Sequence, residues 1–144
     1  LVRPGQGLPE FVLASAEESG HGQPIALTRK DVNEIQLAKA AIRVGIDCLL
    51  EEAGATTDDI EEFIIAGAFG SYINVASAVR IGMFPPLPLE RFRQVGNAAG
   101  IGARAALVST AQRRLAEEIA GRVRYVELTG RPDFQRRFLQ QMYL

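Results

Sequence analysis

The feature that most limits how this chain can fold is the unbroken periodic run from Lys30 to Ala53. Ile35, Ala38, Ile42, Ile46 and Leu49 recur there at helical spacing, and Leu37, Ala41, Val44 and Cys48 widen the apolar face. Gln36, Lys39, Arg43 and Asp47 line the opposite strip. An arc that wide predicts a long helix packed deeply on a sheet. Thr28 supplies a hydroxyl for the free N–H groups at its start, Asp31 suits the positive end of the dipole, and Gly54 tolerates the left-handed stop.

Strands flank this helix. Glu10 to Ala14 and Pro24 to Leu27 read as short strands joined by the turn-rich segment Ser15 to Gln23. Phe63 to Ala66 (FIIA) is a continuous apolar run, the pattern of a central strand buried on both faces. A helix is expected from about Asn74 to Ile81, and Pro85, Pro86 and Pro88 make the next segment a loop. Phe92 to Val95 is a further strand, leading into a helix over Ala98 to Val108 and a second capped by Ser109 or Thr110. Val123 to Leu128 alternates as a strand, and Pro132 opens a last helix with the stripe Phe134, Phe138 and Met142. The five strand candidates are expected in one mixed sheet, with the long helix packed across it.

With 144 residues, 47% hydrophobic and 23% charged, the chain can form one domain with its own core. A net charge of −1 gives no basic field for nucleic acid or an anionic membrane. Charged residues interrupt every apolar stretch before it could span a bilayer. The chain does not begin with Met and is expected to be a piece of a longer protein. Cys48 is the single cysteine, so neither an internal disulfide nor a four-thiolate cluster can form within these residues, and a cytoplasmic setting is the default.

Two strand–glycine–helix junctions carry the chemistry. Phe63 to Tyr72 reads FIIAGAFGSY, and Phe92 to Gly102 reads FRQVGNAAGIG. Glycine lets a ligand approach bare backbone, strand C-terminal ends are where α/β sheets bind ligands, and helix starts attract phosphate. Taken singly, each junction is better read as a tight turn, with Gly100 and Gly102 serving close packing. Neither is a Walker loop or a GxGxxG fingerprint. Their occurrence in succession is the more informative fact.

The order of long helix, strand, AGAFG loop, short helix, strand and glycine-rich helix resembles the second ribonuclease-H-like half of the actin, heat-shock chaperone and sugar-kinase superfamily. EFVLASAEESG, TRKDVNEIQLAKAAIRVGIDCLLEEAG, IAGAFGSYI, VGNAAGIGARAAL and PDFQRRF resemble, more narrowly, the C-terminal domain of the ATP-dependent reductive activators of corrinoid proteins. The resemblance implies an α/β fold: a ribonuclease-H-like, actin-like ATPase mixed sheet covered by helices, with residues 1–144 forming a partial subdomain, the C-terminal half of the ATPase domain. It implies ATP, as Mg-ATP, as the nucleotide of the full-length protein. It also implies a 2Fe-2S cluster in an upstream ferredoxin domain, and a corrinoid protein of a methyltransferase system as partner alongside the remainder of the polypeptide. The superfamily's Asp-Gly-Thr-like phosphate hairpins are absent from this sequence, so the isolated chain is expected not to turn over ATP, and its catalytic residues are unassigned.

By the same resemblance Ala66, Gly67, Ala68, Phe69 and Gly70 form the adenosine motif, and Gln36, Lys39 and Arg43 flank the adenine. The plainer reading of that helix strip is a solvated face with an Arg43–Asp47 ion pair. Asn97, beside Gly100, can bond a ligand or cap the next helix, and capping is preferred. Phe69 and Tyr72 can wall a ring, though Phe69 is better read as packing. His21 has no metal-ligand neighbours, Cys48 reads as a core thiol, and Glu17 and Glu18 read as a solvated turn. Two other functions stay open: a non-catalytic docking domain for a corrinoid protein, and a piece of a sugar or acid kinase. The oligomeric state, a homodimer included, is also open.

Overall fold

A computed structural model describes residues 2–4, 9–67 and 69–143, with backbone alone for 2–4 and Phe69. Strands β1 (Val2–Pro4), β2 (Pro9–Ala14) and β3 (Ile25–Leu27) form an antiparallel sheet in that order. Strands β4 (Phe63–Ala66) and β5 (Phe92–Gly96) form a separate parallel pair. The helices are α1 (Arg29–Ala53), α2 (Val75–Arg80), α3 (Ala98–Val108), α4 (Thr110–Arg122) and α5 (Phe134–Gln140). The result is a mixed α/β arrangement.

Local rules place α1 where expected. The Thr28 hydroxyl accepts from the Asp31 N–H at 3.2 Å, and the Asp31 carboxylate accepts from the Thr28 N–H at 2.8 Å, a complete capping box. Gly54 ends the helix at φ 64°.

The single sheet is not observed. Among the described residues β2 lies between β1 and β3, and β4 pairs with β5 alone, so the strands fall into two sheets. Val123 to Leu128 forms no strand, and Val123 and Tyr125 stand exposed. Alternation alone makes no strand where no neighbour supplies ladder bonds. Leu128 instead reaches over Gly45 of α1, 3.7 Å from where a Cβ would sit.

β4 is buried on one face only: Ile65 is in the core, whereas Ile64, on the opposite face, is 51% exposed, so the strand is not the doubly buried one expected. The core under that face is Ile65, Ala78 and Phe84, with Ile46 of α1, Phe63, Ile73 and Phe92 packed against it. The rings of Phe63, Phe84 and Phe92 lie 5.1 to 5.9 Å apart, centroid to centroid. The proline-rich loop therefore belongs to the core: Phe84, Pro85 and Leu87 are all buried.

The covered side of α1 also differs from expectation. Lys39, Ala40, Val44 and Cys48 are buried, whereas Ile35, Ile42 and Leu49 are exposed. The cause is α5, which packs on α1 with side chains matched to a polar surface. Arg137 bonds Glu51 at 2.6 Å, and Arg131 reaches both Glu51 and Glu52 at 2.9 and 3.1 Å. Of the expected polar strip Lys39 alone is buried, and the buried face of α1 also keeps Val44 and Cys48 from the expected apolar arc, with Ile46 against the core.

Candidate site at the paired glycine junctions

The parallel pairing of β4 and β5 brings both junctions to the same end of the same two strands. The register runs Phe63 to Phe92, Ile64 to Arg93 and Ile65 to Gln94, then slips so that Ala66 faces Gly96. That bulge leaves Gly96 at φ 62° and lets its carbonyl accept from the Gly67 N–H at 2.6 Å. Two segments that are about thirty residues apart in the chain thus form one hydrogen-bonded unit.

The glycines in this unit do different work. Gly67 sits at φ 97°, a conformation open to glycine and costly for other residues, and no described atom lies within 4 Å of where its Cβ would project. Bare backbone is therefore presented to open space. Gly70 is buried, and a Cβ there would meet Ile65 Cγ2 at 2.6 Å. Its lack of a side chain serves the packing of the 3₁₀ turn Phe69–Tyr72 onto β4, not ligand approach. Ala68 lies outside the described residues, as does the side chain of Phe69. Tyr72, at the end of the turn, is 91% exposed.

Asn97 caps α3: its side chain accepts from the Gly100 N–H at 2.9 Å. A Cβ on Gly100 would meet Asn97 Nδ2 at 2.5 Å, so this glycine exists to let the cap fold back. Beside them an open recess of about 490 Å³ is lined by Asn97, Gly100, Ile101, Arg104, Ala105 and Val108. Among the described residues nothing lies within 4 Å of where a Cβ on Gly102 would sit, so no close packing there requires a glycine.

The α1 strip is arranged otherwise than a solvated face. Arg43 and Asp47 form the expected ion pair at 3.0 Å. Lys39, however, is enclosed between the Gly82 turn and the C-terminal segment, and its ammonium donates to the Tyr143 carbonyl. Desolvation, aided by the Arg43 charge, pulls its pKa below the ordinary lysine value. Gln36 is half-buried. Among the described residues no hydrogen bond links this strip to the Gly67–Tyr72 turn.

The sequence pattern did not single out Gln94. Its amide donates to the carbonyls of Gly70 and, at 3.0 Å, Ile73. The available signal was weak: Gln94 shares strand parity with Phe92 and stands just before a glycine junction, but its residue is exposed, so parity did not mark it as buried. Elsewhere, the His21 ring bonds Ser19 and Gln23 within its own turn, and no group of His, Cys, Asp and Glu suited to a metal occurs among the described residues. No described helix is long and apolar enough to cross a membrane.

Comparison with known proteins agrees with this arrangement. The family described as the C-terminal domain of RACo, the ASKHA domain, matches residues 1–144. A corrinoid activation enzyme, RamQ, from Eubacterium limosum is 40% identical over 124 residues, which is 86% of this chain and 21% of that protein. A Co(II) methylated amine-specific corrinoid protein reductase from Methanosarcina barkeri is 36% identical over 76 residues, 53% of this chain and 14% of that protein. A solved structure, a reductive activator for corrinoid, iron–sulfur protein, superimposes with a TM-score of 0.88 at 36% identity, covering 99% of this chain and 23% of that one. The chain spans about a fifth of the length of the first of these relatives.

Proposed function

The chain belongs to the family of the C-terminal domain of RACo, the ASKHA domain, and on that premise we propose that it is the adenosine-side part of an ATP-binding domain in a longer protein that reductively activates a corrinoid protein. Three relatives named for that activity support the reading. The observation that carries it is Gly67: a positive φ, open space over its Cα, and a position at the C-terminal end of a parallel strand beside a second glycine junction.

In this reading the adenosine motif that begins at Ala66 meets the ligand through the open backbone of Gly67, with Gly70 packing the turn on Ile65 behind it, and exposed Tyr72 stacks beside it. Gln36, Lys39 and Arg43 flank the purine from α1, with Lys39 able to do so only on release from Tyr143. Asn97 and Gly100 shape the neighbouring junction through their cap. The phosphate hairpins and the 2Fe-2S electron donor belong to the rest of the polypeptide, in a cytoplasmic protein. Bound ATP supplies a free energy that differs between two conformations and so favours the one competent to pass an electron to cobalt. This chain's residues bind and orient the nucleotide.

The test is calorimetric titration of ATP into the full-length protein and into its Gly67→Val variant, with circular dichroism of both. The reading expects strong loss of affinity in a folded variant. Unchanged affinity would reduce the AGAFG loop to a turn.

A further inference from the structure

The turn that leaves β4 is held to β5 by two ties of different kinds. One is main chain to main chain, Gly67 N–H to Gly96 C=O. The other is the Gln94 side chain, whose single amide nitrogen donates to the carbonyls of Gly70 and Ile73. Those carbonyls bracket the second half of the turn, one inside the 3₁₀ segment and one just before Asn74, the N-cap of α2. Gln94 itself pairs in register with Ile65, the residue against which Gly70 packs.

We infer that Gln94 is a positioning residue for the nucleotide: its amide holds the Gly67–Tyr72 turn at a fixed place against β5 and thereby sets how tightly the adenosine end is bound. The inference rests on the adenosine-side reading of Gly67. The chemistry suits the task. Both partners are carbonyl oxygens, so the group must donate twice, and an amide NH₂ has two donors. It is also uncharged, so it holds the turn without placing a fixed charge beside an incoming nucleotide. A glutamate of the same shape can only accept when ionised and would set a carboxylate against two carbonyls. Methionine keeps the length and removes both donors.

Gln94 acts on the nucleotide through the turn and not by contact with its reacting end. A purely architectural tie would show itself in stability and leave affinity alone. Loss of a positioning tie shows itself in affinity, because a turn free to shift must be ordered again each time a ligand binds.

The experiment compares the full-length protein with its Gln94→Met, Gln94→Glu and Gln94→Asn variants. Asparagine keeps the amide on a side chain one methylene shorter, at an exposed strand position, so the comparison survives if methionine or glutamate misfolds. ADP affinity is measured by calorimetry, the melting midpoint by circular dichroism, and KM and kcat for ATP in corrinoid activation. Hydrogen exchange of the peptide spanning residues 63–73 is monitored with and without ADP. In the parent, ADP is expected to slow exchange across that peptide. Each folded variant is expected to bind ADP about tenfold more weakly, the size of one or two lost hydrogen bonds, with KM raised and kcat at saturating ATP retained. Protection in the parent with unchanged affinity in the folded variants would overturn the role of Gln94 and leave the adenosine-side reading standing. No protection of residues 63–73 in an ADP-bound parent would sink that reading and this inference together.

Discussion

The Lys39 ammonium donates to the backbone carbonyl of Tyr143, joining the middle of the longest helix to the end of the described chain, and only 4% of Lys39 is exposed. A cation so enclosed costs desolvation and is held by its hydrogen bond and by the fit of its stem beside Gly82. Lys39 is thus a packing and tethering residue in this structure, and its substitution is expected to act first on stability. Lys39→Ala should lower unfolding free energy by about 1–3 kcal/mol, the range for losing a hydrogen bond to a charged group. Lys39→Met should cost less, since the stem is kept and the desolvated charge removed. Denaturant unfolding with a C-terminal fluorescence probe checks both, and equal losses would show that the stem beside Gly82 adds nothing to the tether made by the ammonium.

Gly67 and Gly70 should respond differently to substitution, though they sit three residues apart. A Cβ on Gly70 strikes Ile65 inside the core, so Gly70→Ala is expected to cost about 1–3 kcal/mol of stability, as overpacking does. Gly67 has open space but positive φ, so Gly67→Ala should cost about 1 kcal/mol of backbone strain and leave the core intact. The larger effect of a branched side chain at Gly67 should appear in ATP affinity. Parallel melting and titration of the full-length variants separates the two.

The aromatic triad makes a prediction about the core. Phe84 lies in a segment without regular structure, yet it is buried against Phe63 and Phe92. Phe84→Ala should destabilise by about 3–5 kcal/mol, as for other buried phenylalanines. Phe84→Leu should cost clearly less. An effect near zero in urea unfolding would place Phe84 outside the cooperative core.

Acid should weaken the start of α1. Hydrogen bonds from the Thr28 hydroxyl and the Thr28 N–H hold the Asp31 carboxyl below the ordinary aspartate range. A depressed folded pKa contributes stability that is present above the unfolded value and lost as pH falls through the folded one. The stability difference between the parent and Asp31→Asn is therefore expected to shrink from neutral pH to about pH 3. At neutral pH, Thr28→Ala should cost about 1 kcal/mol through the lost cap. A difference that grows on acidification would contradict the assignment.

Much of the secondary structure was legible because its causes are local. Thr28, Asp31 and Gly54 bound α1 through neighbours a few residues away, and Asn97 and Ser109 cap α3 and α4 in the same manner. Phe63–Ala66 and Ala98–Val108 were readable to the residue. The parts that failed depended on partners. Val123–Leu128 has the alternation of a strand and no neighbour to pair with, and the five strand candidates were assigned to one sheet because sequence does not say whether an edge is free.

The site divides along the same line. Sequence by itself determined that two glycine-rich junctions follow two strands, and it favoured Asn97 as a cap. Only the tertiary structure decided that the junctions are tied together through Gly67, Gly96 and Gln94, and that Gly67 is open whereas Gly70 is filled by Ile65. It also decided which side of α1 is covered. Helical periodicity defines a polar strip and an apolar strip, but which one is buried depends on what docks there. Here the Tyr143 carbonyl partners buried Lys39, while the arginines of the C-terminal segment pair with Glu51 and Glu52, which stay exposed at the rim.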